Sequence, residues 1–148
     1  MSDYNKIVVG TDGSKSSLLA VERAAKIAAA FDATLIIGCA YYENQEQASK
    51  TLRQDSVTIL GDEKAQANLA SGKEHAEKFG VTKVETAVRP GTPVQALMSI
   101  VNDNHADLLI VGNRGVNSVR GRVFGSVPTE LTHKSKVDVV VVNTSEKR

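Results

Sequence analysis

A chain of 148 residues with 41% hydrophobic and 24% charged side chains is long enough to bury one ordinary core and too apolar to be disordered. Its formal net charge of +1 argues against a broad electrostatic surface, so neither nucleic acid nor membrane is expected as a partner. Cys39 is the single cysteine, which excludes an intramolecular disulfide and fits a reducing compartment. The opening residues, Met1-Ser-Asp-Tyr-Asn-Lys6, lack the apolar segment of a signal peptide, and no apolar run approaches the roughly 20 residues needed to span a bilayer. The expectation is a soluble cytoplasmic protein built as a single domain over residues 1–148. Aromatic residues make up only 4%, so the core must be assembled from Val, Ile, Leu and Ala.

In chain order, Lys6-Ile-Val-Val-Gly10 is short, β-branched and apolar, as in a central strand covered on both faces. Thr11-Asp-Gly-Ser14 breaks it with turn formers, and Ser14 is placed to cap a helix running to about Phe31. Val21, Ala24, Ala25, Ala28 and Phe31 form that helix's apolar stripe. Residues 34–40 (Thr-Leu-Ile-Ile-Gly-Cys-Ala) read as a second buried strand. From Tyr41 to about Asp62 the sequence turns polar without a clear period, as a mobile or partly helical connection or a flap over a bound ligand would.

Ala65, Leu69, Gly72, Ala76 and Phe79 recur at helical spacing, with Gly80 where the helix would end. Residues 84–89 are a third strand, less apolar and so nearer an edge. Pro90-Gly-Thr-Pro93 is a turn that opens a helix, on which Val94, Leu97, Met98 and Val101 face the core. Residues 107–112 form strand four, and Val137 to Val142 strand five, with a short helix over residues 127–134 between them.

Strands alternating with helices predict an α/β fold: a parallel sheet with right-handed crossovers and helices on both faces. Five strands with this rhythm favour the order 3-2-1-4-5, whose switch point lies between strands one and four. The loop Gly10-Thr11-Asp12-Gly13 and the loop Gly112-Asn113-Arg114-Gly115 then flank one crevice, with Cys39 and Ala40 ending strand two beside them.

The stretch from Val111 to Val127 holds four glycines and three arginines, Arg114, Arg120 and Arg122, with no carboxylate. A glycine-rich loop between a strand and a helix suits anions, because its N–H groups can close on phosphate and the helix start is partly positive. The stretch lacks G-x4-G-K-[ST], so it is not a P-loop, and Gly10-Thr-Asp-Gly13 is not the G-x-G-x-x-G of a dinucleotide fold. No G-x-S-x-G elbow occurs, and His75, His105 and His133 are scattered without metal-ligand spacing. Asp12 can hold Mg²⁺ or a sugar hydroxyl, or bond its own turn; Cys39 reads as a small packing residue. Without a general base, nucleophile or metal cluster, a binding module fits better than an enzyme.

Gly112-x2-Gly115-x9-Gly125-Ser126 matches the G-x2-G-x9-G-[ST] signature of the universal stress proteins, on the carboxyl side of an apolar strand. Gly10-Thr-Asp-Gly-Ser14 and the closing run from Lys136 to Val142 resemble that family's first loop and last strand, and the likeness is greatest to its small single-domain actinobacterial members. The resemblance implies adenine near Gly10, Thr11, Asp12, Gly13, Cys39 and Ala40. It implies ribose and phosphates along Gly112, Asn113, Arg114, Gly115 and Arg122, then Gly125, Ser126 and Val127. It also implies ATP, with Mg²⁺ held through the nucleotide near Asp12, or cyclic AMP. Charged hydrogen bonds of about 1.5–3 kcal/mol each would give a micromolar site after the entropy of binding. Pro128 stands where many ATP-binding relatives carry a small hydroxyl residue; it removes a hydroxyl and an N–H, and resembles a subgroup associated with cyclic AMP. A homodimer through antiparallel pairing of the last strand, Val137 to Val142, is implied as well, and an apolar edge strand favours it.

Overall fold

A computed structural model describes residues 4–43, 61–113 and 126–144. Five strands, β1 (Lys6–Gly10), β2 (Thr34–Tyr41), β3 (Val84–Pro90), β4 (Leu108–Gly112) and β5 (Asp138–Val142), form one sheet. Their order is β3-β2-β1-β4-β5 and every neighbouring pair is parallel, the topology expected from the alternation of strands and helices. Helices α1 (Lys15–Phe31), α2 (Asp62–Ala76), α3 (Pro93–Asn104) and α4 (Ser126–Lys134) supply the crossovers among the described residues.

The two faces of the sheet follow from the two-residue period of a strand. Ile7, Val9, Leu35, Ile37, Cys39, Leu108 and Ile110 point to one face, where they meet Ala20, Val21, Ala24, Ala25 and Ala28 of α1 and Ala65, Leu69 and Ala76 of α2. Val8, Ile36, Leu109 and Val111 point to the other and meet Val94, Leu97, Ile100 and Val101 of α3 and Leu131 of α4. Small residues let the layers approach closely: a Cβ on Gly10 would lie 2.9 Å from Leu97 Cδ1, and one on Gly38 would lie 2.8 Å from Ile100 Cδ1. Gly10 and Gly38 sit side by side in the β1–β2 register, so α3 lies down on a strip of bare backbone.

Local signals set the helix ends. Ser14 caps α1, its Oγ accepting from Ser17 N–H at 3.1 Å. Thr92 and Gln95 exchange side-chain-to-backbone bonds, both 3.1 Å, in a capping box at the start of α3. A cap of this kind stabilises by about 1 kcal/mol. Past α2, a 3-10 turn (Glu77–Phe79) ends at Gly80, as the sequence predicts.

Some boundaries shift by a residue. Strand β2 runs on to Tyr41, and β3 takes in Pro90, which an edge strand tolerates. Helix α4 starts at Ser126, and β5 starts at Asp138, because Val137 N–H is drawn into a turn by Ser135 Oγ. The connection after β2 begins and ends at one point, where Gly61 N–H donates to Tyr42 O at 2.8 Å. The flap expected between Tyr41 and Asp62 falls mainly on residues 44–60, outside the described residues.

Candidate functional site

Strands β1 and β4 are parallel neighbours with Val9 opposite Ile110, so both end on the same edge and their following loops leave it side by side. Strand β2 ends there too, with Gly38 opposite Gly10. In an open parallel sheet this carboxyl edge, where the strand order reverses, is where ligands bind. Helix α4 must run back against the strands to deliver β5 with Asp138 opposite Leu108, so its Ser126 end faces that edge as well. The first-turn N–H groups of a helix carry partial positive charge, which suits an anion.

The first loop is held by a directed chain of hydroxyls. Ser17 Oγ donates to Ser14 O at 2.9 Å, so the 2.9 Å contact between Thr11 and Ser17 is donated by Thr11. Thr11 Oγ1 in turn accepts from Gly13 N–H at 3.2 Å, and Ser17 Oγ from Asp12 N–H at 3.3 Å. Asp12 Oδ1 accepts from Ser14 N–H at 3.0 Å, the turn bond foreseen as its alternative role. Among the described residues nothing bonds Asp12 Oδ2, which leaves one carboxylate oxygen at the edge.

Gly13 has φ +86°, in the left-handed region that favours glycine. A Cβ there would also meet Asn68 Oδ1 at 2.5 Å. Asn68 leans from α2 over this loop and points Nδ2 at Cys39 Sγ, 4.0 Å away. Burial raises the Cys39 thiol from 9.0 to about 11, with the Asp12 carboxylate adding to the rise while Asn68 and the Ala40 backbone oppose it. The cysteine is therefore a neutral packing group at working pH.

The second loop is anchored differently. A Cβ on Gly112 would lie 3.0 Å from Thr144 Cγ2 and 3.7 Å from Ala20, so packing alone accounts for a glycine there. Asn113 is 6% exposed. Its N–H donates to Val142 O at 2.9 Å, and its Oδ1 accepts from Thr144 N–H at 3.0 Å and from Thr144 Oγ1 at 2.9 Å. The Asn113 carboxamide thus clamps two strand ends together, a role the sequence reading did not give it.

Of the residues expected at the site, Gly10, Thr11, Asp12, Gly13, Cys39, Ala40, Gly112 and Asn113 are gathered at this edge, together with the backbone of Ser126 and Val127 at the start of α4. Arg114, Gly115, Arg122 and Gly125 lie outside the described residues. Asn68 and Thr144 were missed. Neither belongs to a motif; the available signal was a polar residue beside the apolar position Leu69 and another just past the final valine run.

Among the described residues no three His, Cys, Asp or Glu side chains gather as a metal cage, and no helix is long and apolar enough to cross a membrane. An open groove of about 540 Å³ between α3 and α4, with Met98 and Glu130 on its walls, shares no residue with the crevice.

The sequence model of the universal stress protein family matches residues 3–143. The universal stress protein Rv1636 of Mycobacterium tuberculosis is 44% identical over 147 residues, covering 98% of this chain and 100% of that protein. A crystal structure of a universal stress protein in complex with cAMP superimposes with a TM-score of 0.77 at 41% identity, covering 97% of this chain and 100% of the other. The UspA protein of Lactobacillus plantarum, at 19% identity over 97% of this chain and 100% of its own, shares the fold with a TM-score of 0.73. A 3-2-1-4-5 parallel sheet, two loops meeting at its switch point, and near full-length identity above 40% lead to one conclusion: the chain belongs to the universal stress protein family.

Proposed function

We propose that this protein is an adenine-nucleotide-binding module of the stress response that holds ATP or cyclic AMP in the crevice between the β1 and β4 loops. The observation that carries the reading is the meeting of those loops at the switch point, in a chain 41% identical to a universal stress protein crystallised with cAMP. In this reading the base lies by Gly10, Thr11, Asp12, Gly13, Cys39 and Ala40. The sugar and phosphate lie along Gly112, Asn113, Arg114, Gly115 and Arg122, and against Gly125, Ser126 and Val127. Main-chain donors and a helix start do most of the binding, and the Asn113 side chain holds the loop that presents them.

Pro128, buried in the first turn of α4, offers no N–H to a phosphate chain. That favours the single compact phosphate of cyclic AMP. The free Oδ2 of Asp12 favours the other ligand, since one carboxylate can join Mg²⁺ already carried by ATP. A single carboxylate does not make a resident metal site. In this reading the module binds and signals, and turnover of ATP is at most a weak side activity. It works in the cytoplasm as a homodimer, paired through the half-buried valines of β5 at the sheet edge.

Calorimetric titration with ATP and cyclic AMP in parallel tests the reading, with at least one micromolar dissociation constant expected. No heat and no rise in melting temperature with either nucleotide refutes it. A monomeric mass at micromolar concentration refutes the dimer.

A further inference from the structure

Among the described residues Thr144 is the most completely buried polar side chain, at 1% exposure, although it follows the last strand rather than belonging to it. Its N–H and its hydroxyl proton both point at the root of the β4 loop, where they donate to Asn113 Oδ1. Because that hydroxyl proton is taken, the contact between Ser16 and Thr144 must be donated by Ser16 Oγ. The direction is therefore defined: Ser16 on α1 donates to Thr144, and Thr144 donates to Asn113 at the root of the β4 loop. Its methyl group, 3.0 Å from where a Cβ on Gly112 would sit, fills the remaining space at the same strand end.

We propose that Thr144 is a positioning residue for the ligand: it joins the start of α1, which carries the first crevice loop, to Asn113, which carries the second, and so sets the separation of the two halves of the site. The inference rests on the nucleotide-binding reading for its ligand, and on the hydrogen bonds alone for the link. The chain links half-buried Ser16 to buried Thr144 and Asn113; bonds in such a setting polarise one another, and a buried member left unpaired is costly.

The test compares Thr144→Val, which keeps the shape and removes the hydroxyl, with Thr144→Ser, which keeps the hydroxyl. Binding of cyclic AMP and ATP to the full chain is titrated well below the melting temperature of every variant, so a loss of folding stability does not enter the dissociation constant. Thr144→Val is expected to weaken binding about tenfold, the worth of one or two buried hydrogen bonds. Thr144→Ser is expected to stay within about twofold of the parent, a rescue that a purely space-filling role would not produce.

In parallel, without ligand, amide exchange of the Asn113 N–H is expected to quicken about tenfold in Thr144→Val and to recover in Thr144→Ser. An unchanged dissociation constant in Thr144→Val overturns the positioning role, and so does a Thr144→Ser variant that binds as poorly as the valine. Parent protein that binds neither nucleotide sinks the functional reading instead; the two failures are separable because the exchange arm needs no ligand, and unchanged Asn113 protection overturns the link itself. Should Thr144→Val not fold, Ser16→Ala removes the α1 hydroxyl from the chain. About threefold weaker binding is then expected with Asn113 still protected, and unchanged binding overturns the proposal.

Discussion

Replacing Gly13 by alanine tests the geometry of the first crevice loop. Two costs can be worked out. The backbone holds φ at +86°, where an L side chain costs about 1–2 kcal/mol. The new Cβ also lands 2.5 Å from Asn68 Oδ1 and 2.7 Å from Asn68 Cγ. That obstacle is the end of a side chain whose own contact, to Cys39 Sγ, is a weak one at 4.0 Å, so it can swing aside for about 0.5–1 kcal/mol of rotamer strain. The sum is about 1.5–3 kcal/mol, or a fall in melting temperature of roughly 3–12 °C for a chain of this size.

Urea unfolding of Gly13→Ala, Asn68→Ala and the double variant separates the two parts. The backbone cost persists without Asn68, whereas the steric part disappears and leaves a coupling of about 0.5–1 kcal/mol. A Gly13→Ala cost below about 0.5 kcal/mol would show that the left-handed turn is not required. A coupling of zero would show that Asn68 does not lie over the loop.

Four further outcomes follow from the same structure. Cys39, with its thiol raised from 9.0 to about 11, binds its proton more tightly folded than unfolded; its contribution to stability is complete below pH 9 and is lost as the pH climbs to about 11. Cys39→Ala should flatten that part of the stability profile, and iodoacetamide should label native protein at pH 8 far more slowly than urea-unfolded protein. Thr11→Val removes a donor to Ser17 and the acceptor of Gly13 N–H, and should cost about 1–2 kcal/mol by chemical denaturation. Thr92→Ala breaks the capping box of α3 for about 1 kcal/mol and should leave nucleotide affinity unchanged, since Thr92 takes no part in the proposed site. Asp12→Asn keeps the Oδ1 bond to Ser14 while deleting the charge; titration should show Mg-ATP weakened about tenfold with stability within about 0.5 kcal/mol of the parent.

The β-branched runs ending at Gly10 and Gly112 and the alanine stripe of α1 carry periodicity, and periodicity is a local property that survives in a one-dimensional string. For that reason the strands, their order and the meeting of two turns at the switch point were all legible before any coordinates. The signature Gly112-x2-Gly115-x9-Gly125-Ser126 was legible in the same way, because fixed spacing within one loop is also local. Its interior lies outside the described residues, and the roles of Arg114, Gly115, Arg122 and Gly125 stay with the proposal.

What the string could not carry were partners far apart in sequence. Asn113 was read as lining the ligand, and only the fold revealed that Thr144, 31 positions later, bonds its Oδ1. Asn68 belongs to no motif, yet the packing of α2 on the sheet lays it across Gly13. Gly10 and Gly38 owe their missing side chains to Leu97 and Ile100 of a helix that neither adjoins. Sequence alone determined which elements form and how they are ordered, since hydrophobic pattern and turn chemistry act over a few residues. Tertiary structure decided which polar groups are already satisfied and which remain for a ligand, because a hydrogen bond depends on distance in space.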